Sequence, residues 1–385
     1  MRGRSLGLLI WFSFSWGCTD DAGVDPIVPP AVDEPPVEGP EETAPGDPAA
    51  LAIGFNAGYA DQFDFFGDFY TVAAPGPRLC HAYVSWNVAL QPPNTGSIED
   101  HASRAFIEDW LASAQGHCDE ALISFKAMAE GPVPSTSAFA AAFEKFVAID
   151  WAATTGFAGG FAFTPWNEPN NPAKSGNGLG LAIPPRVAAR YYLVAERACR
   201  ARGCKVAAGD FASNGSMWDD YKANCATADV APAELCATAS YLDLYKNEIV
   251  NGATALGLPV GLRPQYFALH GWHDSNRYLD AADHCGTYET CTLRRVLRSM
   301  RGTWDGVELW NTEDGIGQTS SPDDDAQGCG AAFLVRLSTI SSRVRRLYIT
   351  RLRGGPGQLF RADRTPRPAM TVLATRQRTF GSNCP

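Results

Sequence analysis

The sequence predicts an α/β protein in which eight strand–helix alternations close into one (β/α)8 barrel, a TIM barrel. Two observations lead to this prediction. Short apolar runs of strand length alternate with longer amphipathic stretches over about 330 residues, from Leu51 onward. Polar and aromatic residues stand where the strand-length runs end, and the strand-to-helix loops of such a barrel gather at one face. We therefore expect one domain with a common site at that face.

The predicted strands are runs of four to eight mainly apolar residues. They cover 51–55, 79–86, 121–125, 157–163, 205–209, 265–269, 307–313 and 347–350. The predicted helices have apolar residues at intervals of three and four, or begin with proline, which suits a first helical turn. They run from about Ile98 to Leu111 and over 137–153, 184–201, 241–250, 293–300, 329–341 and 368–375. The polar and aromatic segment up to Tyr70 is not assigned to either.

The acidic charge of the chain is concentrated near its N-terminus. The formal net charge is -10, and residues 18–50 hold nine of the 42 acidic residues and no Lys or Arg. Eight prolines accompany these acids, and a segment of this composition cannot bury a core. We expect a disordered, extended tether over 18–50. No basic stripe suits a phosphate backbone, so nucleic acid is not an expected partner.

The first 17 residues are organised like an export signal. Arg2 and Arg4 give a positive start, and the apolar stretch that follows is too short to span a bilayer. Cys18 comes next, which predicts lipoprotein processing and acylation of that cysteine. Ser15 stands where this cleavage pattern prefers an aliphatic residue, so plain secretion is the alternative. We expect a signal peptide over 1–17 and a location at the bacterial cell surface, in the periplasm, or outside the cell.

Cysteine usage agrees with export. There are 11 cysteines, and setting Cys18 aside for a lipid leaves ten. Three pairs lie close in sequence and are expected to form disulfides within loops: Cys199 with Cys204, Cys225 with Cys236, and Cys285 with Cys291. The remaining pairings stay open. No Cys-x-x-Cys occurs, so a zinc ribbon or a thioredoxin-type site finds no support.

Two carboxylates fall where predicted strands open into loops. Glu168 lies in Thr164-Pro165-Trp166-Asn167-Glu168-Pro169-Asn170, where the two prolines prevent a helix from continuing through. Glu313 lies far downstream in Asn311-Thr312-Glu313, at the end of the seventh strand. Two acids of this kind are what cleavage of a glycosidic bond requires. Beside the first acid, Asn167 can donate to a sugar hydroxyl and Trp166 offers a flat face for a sugar ring.

These motifs give the chain a resemblance to the clan A glycoside hydrolases. The resemblance rests on Trp166-Asn167-Glu168-Pro169 ending the fourth strand, on Asn311-Thr312-Glu313 ending the seventh, and on the tail over 362–369 before the last helix. It extends from residue 51 to about 376. It implies a retaining β-glycosidase without a cofactor, in which Glu168 is the general acid/base and Glu313 the nucleophile. Their carboxyl groups are then expected about 5 Å apart.

Residues near the other strand ends are candidates for binding the substrate. By similarity, Asn167 would hydrogen-bond the 2-hydroxyl of the sugar, and His270 would touch the nucleophile unless it is an ordinary structural histidine. Candidates for stacking on a sugar ring, each with core packing as the alternative, are Trp86, Trp272 and Trp310. Candidates for contacts with hydroxyl groups are Asn87, Lys126 and Asp210. Arg351 is a candidate for meeting an anionic substituent.

The sequence departs from the resemblance at two places that concern the substrate more than the reaction. The family commonly has a Trp at the end of the eighth strand, and residues 348–353 contain none. Many members carry an Arg near the end of the second strand, facing the nucleophile, and residues 84–87 contain none. Ionisation of Glu313 must then depend on other donors.

Three other functions compete with hydrolysis by two acids. A non-catalytic carbohydrate-binding lipoprotein would explain the missing Trp, but it would not need both acids. Metal-dependent hydrolysis by His270, His273 and Asp274 would need a helix that Gly271 disfavours, so no metal site is expected. A purely structural surface lipoprotein would show no convergence of polar groups at the barrel mouth. The expected partner is a carbohydrate, bound by a monomer that contacts a membrane only through a lipid at Cys18.

Overall fold

The structure of the chain is a computed structural model. It describes residues 45–58, 60–73, 76–127, 133–171, 183–213, 217, 240–281, 292–302, 304–316, 323–350, 359–361, 363–382 and 384. The predicted signal peptide, the lipidation site Cys18 and the candidate Arg351 lie outside the described residues.

The described part of the chain begins within the predicted tether. Pro48–Ala50 forms a short 3-10 helix whose first turn is capped by the side chain of Asp47. The N–H group of Gly46 donates to the carbonyl oxygen of Thr339. Residues 46–50 are therefore attached to the barrel, and regular structure starts before the boundary expected at Leu51.

Eight parallel strands form a closed barrel in sequence order, which confirms the predicted fold class. The strands are β1 (Ala52–Asn56), β2 (Leu79–Ser85), β3 (Glu120–Lys126), β4 (Gly160–Thr164), β5 (Lys205–Phe211), β6 (Tyr266–His270), β7 (Glu308–Asp314) and β8 (Val344–Thr350). Each strand pairs with its neighbours in sequence, and β8 closes on β1. The carboxyl ends of all eight strands therefore meet at one end of the barrel, which we call the mouth; the opposite end is the floor.

Ten α-helices surround the barrel in the part of the chain that the structure describes. They are α1 (Asp64–Val72), α2 (Arg104–Ala114), α3 (Thr136–Ala148), α4 (Trp151–Thr155), α5 (Pro185–Arg200), α6 (Tyr241–Gly252), α7 (Trp272–Ala281), α8 (Thr292–Ser299), α9 (Asp324–Ser338) and α10 (Pro368–Ala374). None of these helices has both the length and the apolar character needed to cross a membrane. Helix α1, which the sequence analysis did not assign, buries Phe65, Phe66 and Phe69 at helical spacing.

Three predicted helices begin or end elsewhere because of their caps. The helix expected from about Ile98 begins at Arg104, since the side chain of Ser103 accepts the N–H group of Phe106 and fixes the first turn. The helix expected over 137–153 divides in two, because Asp150 caps a separate short helix, α4. The helix expected over 329–341 begins five residues earlier, at Asp324, because the side chain of Asp323 accepts the N–H group of Ala326. The other predicted elements lie within three residues of their expected bounds.

The segment after β6 is a helix, where the sequence analysis expected a loop. Trp272 is the first residue of α7. Gly271 lies just outside the helix, and its carbonyl oxygen accepts the N–H groups of Asp274 and Ser275. The expectation failed because a glycine before the first helical turn does not carry the entropic cost of one inside a helix.

Side chains fill the interior of the barrel in layers, because alternate residues of each strand point inward. The central layer is apolar and consists of Leu79, Leu122, Ala162, Ala207, Ala268, Trp310 and Tyr348. Large side chains face small ones: a Cβ atom on Gly54 would lie 2.7–2.8 Å from atoms of Leu79 and Tyr348. This layer separates a charged floor from a polar mouth.

At the floor, one buried carboxylate holds two cations. Glu120 accepts hydrogen bonds from Lys205 and Arg346. The Arg346 guanidinium also lies 3.9 Å from the centre of the Trp310 ring, in cation–π geometry. Burial alone would raise the pKa of Glu120, but these two cations hold it below its ordinary value.

Three disulfides link cysteines in the described residues. The predicted pair Cys199–Cys204 is confirmed. Two longer links, Cys80–Cys118 and Cys329–Cys384, were not predicted, because sequence spacing says nothing about partners 38 and 55 residues apart. The second of them fastens the C-terminal segment to α9. The other predicted pairs, Cys225–Cys236 and Cys285–Cys291, lie outside the described residues.

The two loop lengths predict unequal contributions to stability. A cross-link mainly restricts the unfolded chain, so removing a 55-residue loop closure should cost about 4 kcal/mol, against about 2 kcal/mol for a five-residue one. We expect the double variant Cys329→Ala/Cys384→Ala to lose about twice as much unfolding free energy in urea as Cys199→Ala/Cys204→Ala. Equal losses, or a larger loss for the short loop, would contradict this.

Candidate active site

The two predicted acids meet at the mouth of the barrel around one histidine. Nδ1 of His270, at the end of β6, lies 3.0 Å from Oε1 of Glu168 and 3.3 Å from Oε2 of Glu313. These distances limit the separation of the two carboxylate oxygens to about 6.3 Å. The His270 side chain is 1% exposed, whereas Glu168 and Glu313 are 12% and 19% exposed. The acids can thus be reached from the mouth, and the histidine lies beneath them.

The loop after β4 holds Glu168 in an unusual backbone conformation. Its φ of 47° is in the left-handed region, which is uncommon for a residue with a side chain. Its N–H group donates to the carbonyl oxygen of Asp210, and the side chain of Asn171 donates to its Oε2. The next strand also holds this loop, because the Asn170 amide exchanges two hydrogen bonds with the backbone of Ala212. The acid is therefore fixed against β5.

A bulge in β7 directs Glu313 into the barrel. Leu269 pairs with Asn311, and the next residue, His270, pairs with Glu313 where an uninterrupted register would give Thr312. Both Thr312 and Glu313 consequently reach the interior. Strand alternation read from the sequence cannot show such a shift.

Tyr83 on β2 is a site residue that the sequence analysis missed. Its hydroxyl donates to Oε2 of Glu313 at 2.5 Å, so it is one of the donors on which Glu313 depends in the absence of an arginine at residues 84–87. The ammonium of Lys126 lies 4.8 Å from the centre of the Tyr83 ring. Alternation along β2, in which Leu79, His81 and Tyr83 share a face, was the signal that could have found it.

Asp210 is fully buried below the acids, so it does not contact a substrate hydroxyl as the sequence analysis expected. Its Oδ2 accepts the hydroxyls of Ser124 and Thr164, and its Oδ1 accepts that of Thr312. Burial alone would raise its pKa, but the charge of His270 and these donors hold the pKa below its ordinary value. Asp210 is therefore a buried carboxylate anion.

The same charges keep His270 protonated. Burial opposes the charged imidazolium, but Glu313 and Asp210 outweigh it and raise the pKa of His270 well above its ordinary value. Nε2 of His270 lies 3.3 Å from Oδ1 of Asp210 without the alignment of a hydrogen bond, so this contact is ionic. The nearby His81 is different: burial lowers its pKa to about 3, and it is neutral.

The remaining predicted site residues divide between the mouth and the core. Asn167 is almost buried, and its Oδ1 has no hydrogen-bond partner among the described residues. Partly exposed residues near the strand ends are Trp86, Asn87, Lys126 and Trp272. Two candidates for sugar stacking are core residues instead. Trp310 is fully buried inside the barrel, and Trp166 packs against Tyr191 and Phe139 behind the sheet.

The side chains named for metal hydrolysis point in different directions. His270 faces the acids from β6, while His273 is exposed on α7. Asp274 is buried and accepts the backbone N–H groups of Thr292 and Leu293 at the start of α8. Within the residues that the structure describes, no group of three His, Cys, Asp or Glu side chains is arranged to hold a metal ion.

The closed parallel barrel of this protein is similar in fold to several solved glycoside hydrolases. A glucosidase from Croceicoccus marinus aligns with a TM-score of 0.54 and 13% identity over 86% of this chain and 69% of that one. A GH39 β-xylosidase from Caulobacter crescentus aligns with a TM-score of 0.51 and 14% identity over 86% and 72%. A CBM22-1–GH10 xylanase fragment from Clostridium thermocellum aligns with a TM-score of 0.50 and 11% identity over 85% and 66%.

These similarities concern the fold. They confirm the resemblance to clan A glycoside hydrolases at that level, with the family within the clan unresolved. The sequence matches no protein-family model and no curated protein.

A second buried carboxylate lies next to Glu313. Burial raises the pKa of Asp314 to about 7, and hydrogen bonds from Ser275, Asn311 and the N–H group of Gly315 offset only part of the effect. A Cβ atom on Gly271 would lie 2.0 Å from Oδ2 of Asp314, so the residue just before α7 is in close contact with this carboxyl group. Asp314 thus joins β7 to α7.

Asp314 should make the protein less stable as the pH rises. Its pKa in the folded state exceeds the ordinary 3.8, so its stabilising effect is complete below pH 4 and is lost between about pH 4 and 7. Between pH 5 and pH 8, the wild type should lose about 3 kcal/mol more unfolding free energy than Asp314→Asn, as measured by urea denaturation. The exposed Asp305→Asn should behave as the wild type does. The same pH dependence in Asp314→Asn and the wild type would refute this.

Proposed function

We propose that this protein is a retaining glycoside hydrolase that cleaves O-glycosidic bonds in an oligo- or polysaccharide by double displacement. The observation that carries the proposal is the convergence of Glu168 and Glu313 on one nitrogen of His270. Retaining enzymes have carboxyl groups about 5–5.5 Å apart, while inverting enzymes leave about 6.5–9.5 Å for a water molecule. The two oxygens that face His270 are at most about 6.3 Å apart, which is compatible with the retaining arrangement, and the resemblance to clan A glycoside hydrolases is the reason for choosing it.

In this proposal Glu313 is the nucleophile. Its Oε2 accepts the Tyr83 hydroxyl and lies 3.3 Å from Nδ1 of His270, so a hydrogen bond and an ionic contact hold this oxygen in place. Glu313 would attack the anomeric carbon while the bond from that carbon to the departing oxygen breaks. A covalent glycosyl ester forms, and water then hydrolyses it.

Glu168 is then the general acid and later the general base. It would give its proton to the departing oxygen in the first step and take a proton from the attacking water in the second. Its place on a loop fastened to β5 fixes the carboxyl group relative to Glu313. The unpartnered Oδ1 of Asn167, beside it, is free to accept a sugar hydroxyl, and the 2-hydroxyl is the one we assign to it.

The substrate is proposed only as a class. Trp86 and Trp272 keep enough exposure near the mouth to stack on a sugar ring, with Asn87 and Lys126 as candidates for its hydroxyls and Arg351 for an anionic group. The similar folds belong to a glucosidase, a β-xylosidase and an endo-1,4-β-D-xylanase, which differ in their sugar and in the position of attack. They therefore do not select a linkage for this chain.

Replacing either acid by its amide should abolish turnover while the fold remains. We expect Glu313→Gln to lower the rate by roughly 10³-fold or more on every substrate, because the nucleophile is lost. Glu168→Gln should be similarly slow on polysaccharides, but less impaired in the first step with aryl glycosides, whose leaving group needs little protonation. The measurement is hydrolysis of a panel of aryl glycosides and polysaccharides, with the anomer of the first product followed by NMR.

The matched control is Glu308→Gln, which changes a carboxylate at the floor end of the same strand, β7, and should leave turnover unchanged. Wild-type rates from either acid variant would end the proposal, and an inverted first product would end the retaining assignment. A wild type that binds a glycan in calorimetry but releases no product on the whole panel would favour the non-catalytic carbohydrate-binding alternative.

We also propose that the protein is exported and anchored by a lipid at Cys18, with the acidic, proline-rich segment between Cys18 and the barrel as its tether and the chain otherwise monomeric. The support is the N-terminal sequence: a basic start, a short apolar stretch and a cysteine directly after it.

Cys18→Ser tests the anchor. In bacteria that express the wild-type protein and are grown with a labelled fatty acid, the protein should carry the label and remain in the membrane fraction. The Cys18→Ser variant should be unlabelled and should leave the membrane fraction. Label retained by Cys18→Ser would disprove acylation at this residue, and an unlabelled wild type in the medium would support plain secretion instead.

A further inference from the structure

Asp210 faces the inside of the barrel only because β5 contains an extra residue. Gly209 pairs with Ala268, and the next pair is Phe211 with Leu269, so Asp210 is left out of the ladder. Without this bulge, alternation would turn Asp210 outward and Phe211 inward. Instead, Phe211 packs outside the barrel against Tyr241 and Tyr245 of α6.

The backbone is strained at this bulge. Asp210 has a φ of 73° and Gly209 a φ of 95°, both in the left-handed region. A Cβ atom on Gly209 would lie 2.6 Å from the carbonyl oxygen of Ala268, so only glycine fits there. Strained residues of this kind persist where the surrounding structure over-determines them and are concentrated at functional sites. Here the strain directs one carboxylate inward.

The carboxylate that results is surrounded by donors. Besides the hydroxyls of Thr164 and Thr312, it accepts that of Ser124, whose oxygen lies 2.7 Å from Nε2 of His81. Because Ser124 donates its one hydrogen to Asp210, its oxygen can only accept from His81, so the proton of the neutral ring is assigned to Nε2. No donor in this set carries a positive charge, so the charge of Asp210 is balanced by His270.

Both nitrogens of His270 face carboxylates. Nε2 faces Asp210 from β5, and Nδ1 faces Glu168 from the loop after β4 and Glu313 from β7. Beyond these three, the titratable groups around the ring are His81 and Tyr83 on β2 and Lys126 on β3. A neutral ring would direct a lone pair at a carboxylate on one side or the other, whereas the imidazolium presents a positively charged N–H group to both sides.

We propose that Asp210 is a positioning residue, a buried carboxylate that keeps His270 doubly protonated so that the imidazolium donates to Glu168 and lies in ionic contact with Glu313. For its catalytic consequence this inference rests on the proposed function. Before the reaction the anion is Glu313, and the imidazolium stabilises it through the 3.3 Å ionic contact while its Nδ1–H group donates to Glu168. Once Glu313 is esterified and Glu168 has given up its proton, the anion is Glu168, and the Nδ1–H group that already donates to it is then paired with a full negative charge. One imidazolium thus stabilises the negative charge on either acid.

The protonation state of His270 is measurable without a substrate. In full-length protein labelled with 15N at histidine, the His270 signals, assigned by their loss in His270→Gln, should show two protonated nitrogens at pH 8. In Asp210→Asn the ring should be neutral at that pH, because one of the charges that stabilise the imidazolium is gone. The matched control Asp305→Asn should retain the wild-type signals. A neutral His270 in the wild type, or an imidazolium that persists unchanged in Asp210→Asn, would overturn the proposal.

Activity gives the second readout. In Asp210→Asn we expect kcat to fall about 100-fold with a smaller change in KM, and the alkaline limb of the pH–rate profile to move to lower pH. A uniform loss of rate with an unchanged pH profile would indicate a merely structural role and overturn the proposal. If Asp210→Asn does not fold, the wild-type 15N titration alone decides. The two proposals can fail separately. If the wild type is inactive on every glycan but His270 loses its second proton in Asp210→Asn, the proposed function is refuted and the positioning role of Asp210 stands.

Discussion

The contact between a buried imidazolium and three carboxylates is the interaction on which the mouth of this barrel depends. His270 and Asp210 are both almost completely removed from water, and an unpaired charge in such a place is very costly. Each partner is tolerable only because the other is present. Since the three acids come from the ends of β4, β5 and β7, their attraction to one ring also fixes the relative positions of three loops.

Two local irregularities make this convergence possible. In an ideal barrel the alternation of each strand determines which side chains point inward, and neither Asp210 nor Glu313 would be placed as observed. An extra residue in β5 and a shifted register in β7 redirect them. The polar mouth is therefore produced by departures from regular pairing, while the regular part of the barrel supplies only the frame.

The features that sequence could predict are those determined by composition along the chain. Apolar runs and proline positions were sufficient for the eight strands and most helices, and strand ends were sufficient to select Glu168 and Glu313. Contacts between distant strands could not be read in this way: Tyr83 looked like an ordinary strand residue until it was seen beside Glu313. The prediction that Trp310 and Trp166 stack on a sugar was wrong, because both are buried. The sequence around a tryptophan at a strand end does not show whether its side chain points to the mouth or into the core. Helix α7 was missed because Gly271 was counted as part of it rather than as the residue before it.

The apolar layer formed by Leu79, Leu122, Trp310 and their neighbours separates two groups of charged side chains. Below it, Glu120, Lys205 and Arg346 form an ion cluster, and above it the acids and His270 form another. With low-polarity side chains between them, neither set shares donors or acceptors with the other. Substitutions at the floor can therefore change the stability of the domain without changing the chemistry at the mouth. In the same way, substitutions at the mouth can change specificity without destabilising the floor.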